Sequence, residues 1–432
     1  MRLYVTLVLL VQFSYLVVES SCFHVSRPRH RHHNRHQSTP NEGMPPSDHL
    51  SSPPPPPPPL DYEGRISEEY NPETFRSGFV SIVGAPNMGK STLLNKLLDE
   101  DLCITTPRPQ TTRHAILAVL TSEEHETQLA FLDTPGVISK TRYKLQDTMM
   151  EAVQGSLHSS EVILVLTDVF STVPFSEDDK ILQKLKRTKQ NVVVVVNKID
   201  LLDKVTNFTA ASDADDDGGD PLGTRTTSVP EAVAKWRSIL PNAVAIIPIS
   251  CKTGQNIPTL RKLLLAEPDV PAAFRSLGRP VPGTFRAGES TVTDEMARSL
   301  LPVSPPLYSF STLTDRSERF FASEIIRAVL FGKFKKEVPY SCEVAVTGFT
   351  ELEPGSKEKV RRLSASIMVE RESQKGILVG KGGVMVKEVG VGSRKRLEEF
   401  FQERIHLDLS VKVDKDWRKE ERKLKRYGYI RE

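Results

Sequence analysis

Cysteine is scarce. The 432 residues contain four, Cys22, Cys103, Cys251 and Cys342, with no CxxC pair and no metal-ligand spacing among them. That excludes a disulfide framework and a thiolate zinc site, and leaves these side chains as small core or loop residues. An excess of one charge is lacking too. Lys and Arg number 58 against 55 Asp and Glu, a formal net charge of +3, so any surface built for a polyanion must be local. What is present is sufficient for ordinary folding: 38% of residues are hydrophobic, and the length suits two folded domains with extensions.

Residues 84–92 read GAPNMGKST. Gly84, Gly89, Lys90 and Ser91 satisfy the phosphate-loop pattern of a glycine, four residues and Gly-Lys-Ser. Glycines at those places let backbone N–H groups turn inward around phosphate oxygens. The lysine reaches the β- and γ-phosphates, and the serine hydroxyl is placed for Mg²⁺. The whole loop, Gly84, Ala85, Pro86, Asn87, Met88, Gly89, Lys90, Ser91 and Thr92, is expected to surround a nucleotide. Further on, NKID supplies Asn197, Lys198 and Asp200 for the base. A carboxylate there accepts from the guanine N1–H and exocyclic amine, whereas adenine offers an acceptor at N1 and lacks that amine. The expected ligands are GTP and GDP.

Between these strings TQLAFL reads as a strand leading into Asp133, Thr134, Pro135 and Gly136. Asp133 is expected to hold Mg²⁺ through water, and the Gly136 N–H to meet the γ-phosphate. Residues 105–113, TTPRPQTTR, lie where a first switch loop belongs and offer Thr111 or Thr112 to the metal; Arg108 and Arg113 in the same loop read as structural or RNA-facing. Ser250, Cys251 and Lys252 follow the buried-strand pattern AVAIIPI and are placed to close over the base. Each piece falls near a strand end or in a loop, as open α/β sheets require of their binding sites. The expected catalytic set is Lys90, Ser91, Thr111, Thr112, Asp133 and Gly136, with Ser91, Thr112 and Asp133 around Mg²⁺.

The C-terminal part has a different rhythm. SERFFASEIIRAVLF (317–331) repeats its apolar residues at three- and four-residue steps, a helix; SCEVAVTGF and SASIMVER alternate like strands. GILVGKGGVMVKEVGVGSRKRLEEFF reads as helix broken at Gly380-Lys381-Gly382-Gly383, and HLDLSVKV is a last strand. The order α-β-β-α-α-β with GxxG between the central helices is that of a type II KH domain, whose glycine loop clamps about four single-stranded nucleotides. Gly380, Lys381, Gly382, Gly383, Lys387, Arg394 and Lys395 are the expected RNA contacts, with Arg396 beside them and an apolar groove lined by Ile377, Val379 and Val386. The tail WRKEERKLKRYGYIRE reads as a solvated face or a second phosphate contact.

The N-terminus reads as address rather than fold. The apolar run Leu3 to Val18, interrupted at Gln12 and Ser14, is short for a membrane span and has signal-peptide anatomy over 1–22. The stretch from Phe23 is basic, carries His30, His32, His33 and His36, and has no acidic residue before Glu42. That is transit-like composition, and the pair resembles the bipartite leaders of plastids acquired from a red alga. GTP chemistry argues against plain secretion, so a plastid stroma is expected, with the mitochondrial matrix as the alternative. Pro53 to Pro59 form a stiff spacer. The expected division is a leader to residue 77, a G domain over 78–267 with a surface insertion at 211–228, a linker over 268–309, and the KH domain over 310–432.

GAPNMGKST, PQTTR, DTPG, NKID and SCKTG, joined to LTDRSERFFASEIIR, PYSCEV, VERESQKGILVGKGG and HLDLSVKV, resemble the Era GTPase family over residues 78–432 apart from the insertions. The resemblance implies an α/β P-loop GTPase domain followed by an α+β type II KH domain. It also implies a partner, the 3′ end of small-subunit ribosomal RNA in a 30S-type particle, with GTP favouring the RNA-binding state of a monomer. Val137 and Ile138 follow Gly136 where many GTPases place a water-orienting Gln, so slow intrinsic hydrolysis is expected. Asn87 matches the asparagine with which related GTPases hold K⁺ beside the phosphates. The competing functional reading is a nucleotide-sensing RNA chaperone, or a module docked peripherally on a membrane, in which hydrolysis is incidental. GTP-driven tRNA modification is weakened by the lack of a substrate domain beyond the KH.

Overall fold

A computed structural model of the chain describes residues 70–106, 108–138, 141–170, 180–202, 228–266, 299–350 and 360–430. The signal-like and transit-like segments up to residue 69, the proline run, the histidine cluster, the insertion up to residue 227 and the connection 267–298 lie outside the described residues.

Valine and isoleucine dominate two strands that are buried at every position, VILVLTD and NVVVVVN. Runs without polar alternation belong inside a sheet covered on both faces. The strands are β1 (Arg76–Val83), β2 (Ile116–Ser122), β3 (Thr127–Asp133), β4 (Val162–Asp168), β5 (Asn191–Asn197) and β6 (Ala245–Pro248). They form one sheet of order β2–β3–β1–β4–β5–β6, in which β2 is antiparallel to β3 and every other pairing is parallel. The helices are α1 (Lys90–Leu98), α2 (Lys144–Ser159), α3 (Lys180–Arg187), α4 (Val229–Ile239) and α5 (Ile257–Leu264). Leu93, Leu94 and Leu97 of α1 and Leu260 and Leu263 of α5 pack on one face of the sheet. Val153 and Leu157 of α2, Leu185 of α3 and Trp236 of α4 pack on the other. The parallel strands bring the C-terminal ends of β1, β3, β5 and β6 to one edge, which is where the motifs lie.

The connection to the second half differs from expectation. Residues 268–309 read as linker, yet from Ser299 onward the chain is stitched to the sheet. Leu300 and Leu301 are buried in its core. The Arg76 guanidinium donates to the Leu301 carbonyl at 2.9 Å, and the Gln128 amide oxygen accepts from the Leu307 and Tyr308 N–H groups. The Val119 N–H donates to the Leu313 carbonyl, and the Thr314 hydroxyl to the Leu117 carbonyl. The segment shields edge strand β2 with bonds to another element's groups, so it shows no period of its own.

The order α-β-β-α-α-β is present as α6 (Glu318–Lys333), β7 (Glu343–Phe349), β8 (Val360–Val369), α8 (Glu372–Val379), α9 (Val384–Phe401) and β9 (Arg404–Val413), with a one-turn helix, α7 (Val338–Ser341), after α6. β8 lies between β7, antiparallel, and β9, parallel. Ile326 and Leu330 of α6 share a core with Leu363, Ile367, Val389 and Leu397. The basic tail is not merely solvated. Trp417, Leu424 and Tyr427 are buried together with Leu145 and Met149 of α2, and the Trp417 indole N–H donates to the Ser341 carbonyl at 2.9 Å. Only Glu421–Arg426 is helical, so Trp417 reaches this core from the preceding turn and the apolar residues share no single period.

Candidate functional site

The loop after β1 has the shape that its glycines permit. A Cβ at Gly84 would lie 2.2 Å from the Leu166 carbonyl oxygen, and one at Gly136 would lie 2.8 Å from Pro86 Cγ, so neither position admits a side chain. Gly89 has φ +93° and Asn87 φ +64°, a left-handed turn that directs N–H groups inward. The Lys90 ammonium donates to the Gly84 and Ala85 carbonyls, each at 3.1 Å, spanning the loop from beneath. Burial pulls its pKa down to about 8, with Asp133 acting in the opposite sense.

Oxygen ligands converge beside it. Ser91 Oγ donates to Asp133 Oδ2 at 2.7 Å and lies 3.0 Å from Thr112 Oγ1. Asp133 is fully buried, and its Oδ1 has no partner among the described residues. Burial pushes its carboxyl up to about 6, against the Ser91 hydrogen bond and Lys90. A buried carboxylate with an unpaired oxygen next to two hydroxyls fits a hard divalent cation. The structure also separates the two threonines: the Thr111 hydroxyl donates to the Arg108 carbonyl at 2.9 Å, within its own loop, and Thr112 faces Ser91.

Asn197 joins the base-recognition loops to the phosphate loop. Its Nδ2 donates to the Met88 carbonyl at 2.8 Å, and its Oδ1 accepts from the Lys198 N–H at 2.8 Å and the Cys251 N–H at 3.0 Å. Ser250 Oγ donates to Asp200 Oδ1 at 2.7 Å, orienting that carboxylate. Lys198 is anchored by Asp168 at 2.8 Å. Pro86, Asn87, Gly89, Lys90, Ser91, Thr92, Thr111, Thr112, Gly136, Asn197, Lys198, Asp200, Cys251 and Lys252 line one cavity of about 590 Å³. Gly84, Ala85, Met88, Asp133, Thr134, Pro135 and Ser250 do not line it. Several of these act from behind, as Thr134 does by donating its hydroxyl to the Ile82 carbonyl at 2.8 Å. Thr105, Thr106, Arg108 and Gln110 of the switch loop line the cavity too, and Ile104 and Leu201 line it unforeseen, each beside a motif but part of none.

In the second half, Gly380, Gly382 and Gly383 have φ of +72°, +64° and +79°, so the loop between α8 and α9 is left-handed at three of its four residues. A Cβ at Gly380 would lie 2.6 Å from Met385 Cγ, whereas Gly382 and Gly383 face open space. Beside the loop runs a groove of about 530 Å³ with Lys387 and Arg394 on one wall and Val386, Val391, Leu407 and Leu409 among its apolar lining. The groove differs from expectation in its wall: Val386 lines it, but Ile377 and Val379 on α8 do not. Lys387, Val391 and Arg394 follow four- and three-residue steps on one face of α9, while Lys395 is rotated about 100° away and lies off the groove.

Residues 79–198 match the family described as 50S ribosome-binding GTPase, and residues 337–418 match the KH domain family. The GTPase Era of Geotalea daltonii is 34% identical over 357 residues, a match covering 83% of this chain and 99% of that one. The chain belongs to the Era GTPase family. The chloroplastic GTPase ERA1 of Zea mays is 32% identical over 363 residues, covering 82% of this chain and 70% of the relative. Among Era structures, that of Aquifex aeolicus Era bound to GDP and AlF4⁻ matches with a TM-score of 0.63 at 29% identity, covering 82% of this chain and all of that one. A structure of Era with MgGDPNP and nucleotides 1506–1542 of 16S ribosomal RNA matches with a TM-score of 0.62 at 28% identity, covering 82% and 99%.

Proposed function

We propose that this Era-family GTPase is a GTP-hydrolysing switch that binds the 3′ end of small-subunit ribosomal RNA and assists assembly of an organellar small ribosomal subunit. One observation carries the reading: a single chain joins the Lys90, Ser91, Thr112 and Asp133 constellation to an open glycine loop beside a basic-walled groove. In this reading the phosphate-loop N–H groups and Lys90 hold the phosphates, Asp200 selects guanine, and Lys381, Lys387 and Arg394 meet RNA phosphates while bases enter the apolar groove. Lys395 is an outer contact. Ser91 and Thr112 would hold Mg²⁺, with Asp133 behind them; bound there, the ion neutralises charge on the phosphates. The chloroplastic names of the Zea mays and Oryza sativa relatives support an organellar destination; the plastid stroma is our reading, with the mitochondrial matrix as its alternative. The division into leader, G domain and KH domain, and a monomeric chain, are part of the same proposal.

The test is GTP turnover by the full chain with and without an oligonucleotide of the small-subunit rRNA 3′ end. Stimulation by RNA supports the coupled switch. Tight RNA binding with unchanged turnover favours the second reading, a nucleotide sensor or membrane-docked module. That reading has its own support: Val137, buried and apolar, stands where a side chain that orients water would be, its N–H donating instead to the Gly84 carbonyl at 3.0 Å.

Asp133 makes the metal dependence pH-sensitive. Its folded pKa near 6 exceeds the ordinary 3.8, so as pH falls the folded chain takes up the proton before the unfolded one. Between about pH 6 and 4 that proton stabilises the metal-free fold and competes with the cation. The Mg²⁺ concentration for half-maximal turnover should rise roughly fourfold between about pH 7.5 and 5.5. A flat dependence would contradict the assignment. For Asn87, left-handed and lining the cavity, we propose K⁺ coordination, which supplies charge where other GTPases use arginine. Replacing potassium by sodium should slow turnover, and equal rates in the two salts would remove the proposal.

A further inference from the structure

The loop that carries Thr112 is held from the other half of the molecule. Arg327, on α6, donates from Nη2 to the Thr111 carbonyl at 2.8 Å. It is 1% exposed, and its charge is paired with Glu324 one turn earlier. Its Nη1 lies 3.4 Å from the Tyr429 hydroxyl, which donates to Glu343 Oε2 at 2.5 Å. Glu343 in turn pairs with Arg113 at 3.2 Å, and Arg113 also donates to the carbonyls of Cys342, Tyr340 and Pro339 at 2.7, 3.1 and 3.2 Å. A closed circuit runs from the Thr111 carbonyl through Arg327, Tyr429 and Glu343 to Arg113. Thr112, whose hydroxyl meets Ser91, sits between its two ends.

We propose that Arg327, held by Glu324 and the Tyr429 hydroxyl, is a positioning residue for the GTPase reaction, fixing the backbone that presents Thr112 to the metal-side oxygens of Ser91 and Asp133. The inference rests on the GTPase reading above. A hydroxyl on a loop must be held to about half an ångström to serve a metal site; here the Thr111 hydroxyl bonds within the loop and Gln110 is left-handed at φ +60°, while the loop's Arg108 and Arg113 reach out to the carbonyls of Phe334, Pro339, Tyr340 and Cys342. The anchor comes from the RNA-binding half. Arg327 is two residues from Val329, which packs against α9 so closely that a Cβ at Gly392 would lie 3.3 Å from it. A displacement of the groove helix therefore reaches the group that holds Thr112.

Two changes in the full chain test this. Tyr429→Phe removes one hydroxyl and keeps the ring stacked 4.2 Å from His114. The double change Glu324→Gln with Arg327→Gln removes both charges together, so that neither is left buried alone. Each should lower kcat roughly three- to tenfold and raise the Mg²⁺ concentration for half-maximal turnover by a similar factor. GDP affinity measured without Mg²⁺ should stay within about twofold, because the base pocket uses none of these groups. Unchanged kcat and Mg²⁺ dependence in both variants overturns the proposal, as does a GDP affinity that falls in step with kcat. Turnover by the unaltered chain is read separately: its absence removes the GTPase reading itself, whereas normal turnover with insensitive variants removes only the positioning role.

Discussion

Asp200→Asn should weaken GTP binding by roughly a thousandfold without unfolding the chain. Ser250 Oγ donates to Asp200 Oδ1 and orients a carboxylate that lines the cavity. Both hydrogens that guanine presents on this edge need acceptors. An amide offers one oxygen and sets its NH₂ against the guanine amine, so one pair is lost and one repulsion gained. Xanthine carries a carbonyl where guanine has that amine, so xanthosine triphosphate should bind the variant better than GTP. Titration with fluorescent nucleotides measures both affinities. A GTP affinity within about twofold of the unaltered chain would mean that the base is read elsewhere.

Gly382→Asp should abolish most RNA binding and leave the fold nearly untouched. The position has φ +64° and open space where a Cβ would go, so the side chain meets no clash. Aspartate tolerates left-handed backbone better than most residues, at a cost of about 1 kcal/mol. Its carboxylate would stand where the RNA backbone must approach, beside Lys381. Affinity for a single-stranded oligonucleotide should fall roughly a hundredfold at physiological salt, with a smaller salt dependence. Gly380→Ala is the contrast: there the added Cβ would lie 2.6 Å from Met385 Cγ and 3.1 Å from the Met385 nitrogen, so stability should fall along with binding. Fluorescence anisotropy against urea midpoints separates the two. Unaltered RNA affinity in the aspartate variant would remove the loop from the interface.

How legible these sites were follows from what each depends on. The phosphate loop, DTPG and NKID could be read because their chemistry dictates residue types at short spacing, and Gly84 and Gly89 stand where a Cβ meets backbone or the Asn197 amide. The KH order could be read because periods of 3.6 and 2 alternate in sequence. What depends on distant partners could not. Arg113 read as structural or RNA-facing and is structural, but the carbonyls that bury it lie more than two hundred residues away and could not be named from its own loop. Trp417 and Tyr429 sat in a run of charge that hid their inward face. Ile377 and Val379 lie outside the cavity that Val386 lines, because a sequence shows that a residue is apolar but not which neighbouring element it borders. Thr111 and Thr112 are adjacent and chemically alike, and the bond from Thr111 to the Arg108 carbonyl and the contact of Thr112 with Ser91 tell them apart.

The stitched segment from Ser299 to Thr314 sets the mechanics of the molecule. With Leu313 and Thr314 bonded to β2, only the residues from Asp315 to Ser317 separate the sheet from the start of α6. The two halves are thus joined by a short axle rather than a tether, and that axle lies beside the loop that carries Thr112: the Arg316 guanidinium donates to the Ala115 carbonyl. α6 is sixteen residues long, about 24 Å from end to end. A turn of about 10° at Ser317 carries the far end of that arm through about 4 Å, enough to shift a side-chain contact by a whole van der Waals radius. The bond from Arg327 to the Thr111 carbonyl and those from Arg113 to the carbonyls of Pro339, Tyr340 and Cys342 brace that arm, so a swing about the axle must carry the Thr112 loop with it or break them.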